Sequence, residues 1–134
     1  MSCDFAILSL DRWLSDVDAA KLYVALCDGD ASGVSPNPAI DKFYSEITAK
    51  HPEIDEVPDD EVDDVDLCPW SVAFDRSAGH LIICCVWSKA DYVQELVTGL
   101  ASKHGLALYN PQAEAILYPD GTTGKVQKPW WKVW

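Results

Sequence analysis

Apolar positions fall along this chain in two rhythms, short unbroken runs and stripes spaced three or four residues apart, and each rhythm predicts an element. Phe5 to Leu10 is an apolar run of strand length that Asp11 ends. From Asp16, Val17, Ala20, Val24 and Cys27 recur at helical spacing until Asp28-Gly29-Asp30 brings turn chemistry. A second helix follows a loop over 31–35: Asn37 caps it, Pro38 occupies its first turn, and Ile40, Phe43, Tyr44 and Ile47 share one face before His51-Pro52 closes it. Trp70 to Phe74 alternates large and small side chains, Ser77-Ala78-Gly79 supplies a turn, and His80 to Trp87 holds the continuously apolar LIICCV, which together predict an antiparallel hairpin.

The strongest stripe is Tyr92, Val93, Leu96, Val97, Leu100 and Ala101, preceded by a Ser88-x-x-Asp91 capping box with Asp in place of Glu. His104-Gly105 ends that helix, because glycine tolerates the left-handed conformation of a helix end. Leu106 to Tyr109 starts another strand, Asn110-Pro111-Gln112 interrupts it, and Ala115 to Tyr118 resumes it. The order predicts an α+β, ferredoxin-like β-α-β-β-α-β fold, one antiparallel sheet with helices on one face, plus an additional helix. Residues 1–120 form the expected single domain, and 121–134 a Trp-rich tail carrying Trp130, Trp131 and Trp134 with Lys125, Lys128 and Lys132.

Charge changes this picture at one place. Nine of the fourteen residues from Glu53 to Asp66 are acidic, with no basic residue among them. Carboxylates in that number cannot be buried, since each would lose several kcal/mol of hydration without a paired cation. The segment is therefore a solvated loop or a docking strip for something positive. The formal net charge of −12 and pI near 4.3 argue against nucleic acid or an anionic membrane as partner. No run approaches the roughly 18 apolar residues of a membrane span and no basic leader precedes Phe5, so the expectation is a cytoplasmic protein. The tryptophan tail is expected to pack on its own domain or on a second copy, which leaves a homodimer open.

Candidate chemistry is sparse. The acidic run lacks the spaced D-x-D-x-D-G of a calcium loop, and Cys3, Cys27, Cys68, Cys84 and Cys85 lack metal-ligand spacing, so no metal and no cofactor is expected. The cysteines read as reduced and structural. Cys68, His80 and Asp75 are close enough in sequence to suggest a thiol, base and acid, although no oxyanion hole accompanies them. His51 and His104 suit helix C-termini.

The run from Phe43 to Gln112, with FYSEITAKHPEID, CPWSVAFDRSAGH, CVWSKADYV and LASKHGLALYNPQ, resembles a family of small acidic bacterial proteins of uncharacterised function. That family often ends a strand with Tyr or Phe, Asp, Pro, Gln; here Asn110 stands where Asp is usual. In size and charge the chain is also similar to immunity proteins that neutralise secreted bacterial toxins, an analogy that implies a binding role.

Two functional expectations follow. One is a non-enzymatic module that binds a basic protein, such as a nuclease toxin, through Glu56, Asp59, Asp60, Glu61, Asp63 and Asp64, with Trp70 as an aromatic anchor. The alternative is a small enzyme or ligand-binding domain whose pocket, between the sheet and the acidic loop, uses Asp75, His80, Tyr109, Asn110 and Gln112.

Overall fold

The computed structural model describes residues 2–61 and 63–125. Its elements are β1 (Ser2–Leu8), α1 (Asp16–Cys27), α2 (Pro38–Lys50), β2 (Asp75–Arg76), β3 (His80–Val86), α3 (Ala90–Lys103), β4 (Ala107–Asn110) and β5 (Ala115–Leu117). The fold is α+β: five strands in the order β2-β3-β1-β4-β5, every pair antiparallel, with three α-helices. The centre is β1, whose seven residues pair with all of β3, Ser2 opposite Val86 and Leu8 opposite His80.

Side-chain alternation divides β1 between two cores. Cys3, Phe5 and Ile7 join Leu81, Ile83 and Cys85 under Ile40, Phe43 and Ile47 of α2 and Val93, Val97, Leu100 and Ala101 of α3. Ala6 and Leu8 turn the other way and meet Ala19, Leu22 and Leu26 of α1 with Ala107, Tyr109 and Ile116. The helices therefore do not share a face. This corrects the expected one-sided arrangement, and its cause lies in α1, which is apolar on two sides. The stripe read from its sequence, Val17, Ala20, Val24 and Cys27, is the wrong one to bury: Val17 is 65 % and Val24 60 % exposed, while Ala19, Leu22 and Leu26 pack on the sheet.

The local signals mostly form as their chemistry dictates. Ser15 caps α1 by accepting from the Asp18 N–H at 3.2 Å, and Asn37 caps α2 by accepting from the Ala39 N–H at 2.9 Å with Pro38 in the first turn. Gly105 leaves α3 at a φ of 68°, a backbone state that favours glycine. The Ser88 capping box does not form. A 3-10 turn over Trp87–Lys89 leads into α3, so Ser88 lies inside that turn and no side chain caps the helix.

The predicted strand from Trp70 to Phe74 is also absent. Trp70 makes a lone bridge to Cys85, and only Asp75 and Arg76 pair with β3, opposite Ile82 and Leu81. The chain leaves the sheet between them because the Glu53 carboxylate takes the Phe74 N–H at 2.9 Å. At the other edge, residues 110–114 turn β4 back as β5. The chain then closes on α1, with Gly124 O accepting from the Asp16 N–H at 2.8 Å and Gly124 N–H donating to Ile116 O at 3.1 Å. No helix is long and apolar enough to cross a membrane among the described residues. The tail's three tryptophans lie outside the described residues.

Candidate functional site

The described parts of the acidic segment, 53–61 and 63–66, form a loop of successive turns, anchored by residues in and beside it that are not acidic. Val57 and Cys68 are buried in the core beneath α2 and α3. Between them the chain makes successive turns: Glu61 N–H to Pro58 O at 2.8 Å, Asp64 N–H to Glu61 O at 3.0 Å, and Cys68 N–H to Asp64 O at 2.8 Å. Three acidic side chains are spent on holding this shape. Glu53 accepts from the Tyr44 hydroxyl and the Phe74 N–H. Asp64 Oδ1 accepts from the N–H groups of Asp66 and Leu67 at 3.1 and 3.3 Å. Asp66 pairs with Lys89, whose ammonium holds its carboxyl below the usual carboxylate range.

His51 is the hub at the loop's base. It closes α2 through its N–H to Ile47 O at 2.9 Å, and its ring, buried, reaches Leu67 O through Nδ1 at 3.0 Å and the Tyr92 hydroxyl through Nε2 at 2.7 Å. Three segments, α2, the loop's return and α3, thus meet on one imidazole. Trp70 completes the clamp by donating Nε1–H to His51 O at 3.0 Å, with its ring edge-on to His51 and to Phe74.

What remains on the outside is Asp55, Glu56, Asp59, Asp60, Glu61 and Asp63, all exposed and with no ion pair among the described residues. These carboxylates sit on a backbone that its own hydrogen bonds fix. The anticipated contacting residues therefore divide: Glu56, Asp59, Asp60, Glu61 and Asp63 face solvent unengaged, whereas the exposed Asp64 also ties the turn. Trp70 is not an exposed anchor. It is 2 % exposed, because its indole N–H finds a partner only inside, at His51 O.

The alternative pocket does not assemble. The acidic loop packs with Val57 and Cys68 on the α2/α3 face, whereas His80 and Tyr109 point to the α1 face, where Tyr109 belongs to the second core. Asn110 and Gln112 serve the chain instead. Gln112 accepts from the Asp4 N–H at 2.9 Å and donates to Asp4 O at 2.8 Å, which extends the sheet ladder past β4, and it donates to Asn110 Oδ1 at 2.7 Å. Cys68 and His80 are likewise on opposite faces, so the thiol, base and acid set does not form, and burial pushes the Cys68 thiol up, away from nucleophilic character.

One arrangement escaped the sequence reading. Ser77 Oγ lies 2.6 Å from His80 Nδ1, and His80 Nε2 lies 3.6 Å from Asp75 Oδ2. The order serine, imidazole, carboxylate is that of a hydrolase triad, but Ser77 Oγ also accepts from the Gly79 N–H at 3.2 Å and braces the two-residue hairpin turn. The only signal in sequence was a serine three positions before a histidine across a turn, which tight hairpins carry for structural reasons.

A recess of about 380 Å³ lies between Leu8, Ser9, Trp13, Tyr118, Pro119 and Thr122. Trp13 stacks on Tyr118 at 6.4 Å and stays 52 % exposed. No metal-holding group of three ligating side chains occurs among the described residues. Comparison with protein-family models, with curated proteins and with solved structures finds no match.

Proposed function

We propose that this protein is a non-enzymatic module that binds a basic protein through its acidic loop, in the manner of an immunity protein or inhibitor that caps a cationic toxin such as a nuclease. One observation carries the reading: six unpaired carboxylates, Asp55, Glu56, Asp59, Asp60, Glu61 and Asp63, are displayed on a loop that His51, Trp70, Glu53 and Asp64 hold in shape. A preorganised loop loses less conformational entropy on binding than a floppy one, and its field accelerates encounter with a cationic surface. A nuclease is cationic where it grips phosphate, so clustered carboxylates complement it there. The likeness to immunity proteins in size and charge is an analogy that points the same way.

The scaffold fits a ferredoxin-like reading of β1-α2-β2-β3-α3-β4. The strand order β2-β3-β1-β4, all antiparallel, and the placement of α2 and α3 on one face support it, with α1 and β5 as additions. Residence in the cytoplasm goes with this reading.

The test is capture of the partner from the native cell, followed by association kinetics with Asp59, Asp60 and Asp63 changed to Asn and Glu61 to Gln. Asp64 is spared because it shapes the turn. Association should slow and its salt dependence flatten, since steering is screened over about 8 Å at physiological ionic strength. A rate and salt slope equal to those of the parent would remove the loop from the interface.

A further inference from the structure

Helix α1 presents to solvent the apolar stripe that its sequence advertises for a core. Val17 and Val24 are 65 % and 60 % exposed, Cys27 is exposed at the far end, and the half-buried Ala20 lies between them. The spacing of three, four and three residues puts these four on one side of the helix. Trp13, 52 % exposed, stands just ahead of it. Ala20 also packs against the second core and the exposed Lys21 stands between Val17 and Val24, so the solvent-facing apolar surface is the pair of valines with Trp13 and Cys27 at its two ends, on a helix whose opposite side already packs on the sheet.

We propose that this stripe is the docking surface for the chain's own segment 126–134, VQKPWWKVW, which lies outside the described residues. Four observations on the chain converge on that occupant. The first is where the described chain leads: Trp13 Nε1–H donates to Thr123 O at 3.3 Å and Gly124 O accepts from the Asp16 N–H at 2.8 Å, so Lys125 leaves from the N-terminal end of the stripe. The second is reach. Val17 to Cys27 spans about 15 Å of helix, and nine extended residues cover about 30 Å.

The third is composition, because Trp130, Trp131, Val133 and Trp134 bring the apolar surface that the stripe lacks. The fourth is charge. Asp16, Asp18, Asp28 and Asp30 flank α1 against the single cation Lys21, while Lys125, Lys128 and Lys132 come with the segment. A second copy offers no such match, since antiparallel pairing of two α1 stripes sets Asp16 and Asp18 against Asp28 and Asp30. The acidic loop is the other anionic surface, but it packs on the face of the sheet away from α1. Tethering also makes docking intramolecular, at an effective concentration that a free partner must exceed.

The experiment reads protection of Cys27, which sits at the end of the stripe. Full-length protein is labelled with a thiol reagent under native conditions and Cys27 is followed by peptide mapping. The variant Trp130→Ser, Trp131→Ser, Trp134→Ser should label Cys27 about tenfold faster, because labelling then no longer waits for the segment to open. The reciprocal variant, Val17→Asp with Val24→Asp, alters only exposed positions of the folded domain. It should speed Cys27 to the same degree and raise quenching of tryptophan fluorescence by acrylamide. Circular dichroism confirms that each variant is folded, and sedimentation gives the parent's mass. Equal labelling in parent and both variants overturns the proposal, as does a parent dimer that persists, with Cys27 still protected, when the three tail tryptophans are replaced.

Discussion

Trp70 donates its indole N–H to the carbonyl oxygen of His51 at 3.0 Å, and through that bond the largest side chain of the α2/α3 core grips the base of the acidic loop. Trp70→Phe keeps an aromatic side chain but removes the indole's pyrrole ring and leaves a buried carbonyl without its partner, the latter alone costing roughly 1–3 kcal/mol. Trp70→Ala, which also opens a cavity, should cost about 3–5 kcal/mol. Urea unfolding measures both. If Trp70→Phe unfolds at the parent's midpoint, the bond is not holding the loop.

The two cores are separate, and their energetics should be too. Leu26 on α1 and Ile47 on α2 are both fully buried, on opposite faces of the sheet. Leu26→Ala and Ile47→Ala should each cost about 2–5 kcal/mol. Because they share no neighbours, the double variant should lose the sum to within about 0.5 kcal/mol. A coupling well above that would show that the sheet transmits strain from one face to the other.

Stability should fall on the alkaline side through the buried thiols and the tyrosines. The Glu53 carboxylate, by accepting the Tyr44 hydroxyl, raises the phenol's pKa, and burial raises those of Tyr109 and Tyr118. Groups whose folded pKa is raised stabilise fully below the unfolded value, about 10 for tyrosine, and lose that contribution as pH rises through the folded value. Denaturation midpoints should therefore begin to decline above about pH 8.5, where the raised, buried thiols of Cys3, Cys68 and Cys85 first contribute, and fall more steeply above about pH 10 as the tyrosines join, with Tyr44→Phe removing part of the steeper decline. A Tyr44→Phe curve parallel to the parent's would exclude the Tyr44–Glu53 pair as a source.

Burial pushes the Cys85 thiol up to about 12 and also raises Cys3 and Cys68. All three should resist alkylation at pH 8 until denaturant is added, and the protein should fold without an oxidant. Rapid modification of Cys68 in the native protein would contradict a structural role for it.

The sequence was legible where one rhythm had one meaning. In α2 the row Ile40, Phe43, Ile47 has polar residues on its other side, so spacing alone points to the buried face. In α1 two apolar rows compete, and the row read first lies in solvent because Leu22 and Leu26 fill the space over Ala6 and Leu8 better than valines on the other side. The acidic loop was legible as exposed, since desolvation leaves no other outcome. Its clamp was not: that His51, Leu67, Trp70 and Tyr92 converge depends on α2 and α3 packing side by side, and nothing local to any of those residues encodes it. Trp70 looked like an interface anchor for the same reason, a lone aromatic beside a charge run.

The lengths of the strands bear on behaviour at high concentration. The seven-residue β1 and β3 are interior to the sheet, while its outer members are β2, two residues long, and β5, three. An incoming chain thus meets very few open main-chain amides on either flank, and on one flank it meets the charged pair Asp75 and Arg76. Among the described strands, a sheet bounded in this way offers fibril growth little template from its folded state.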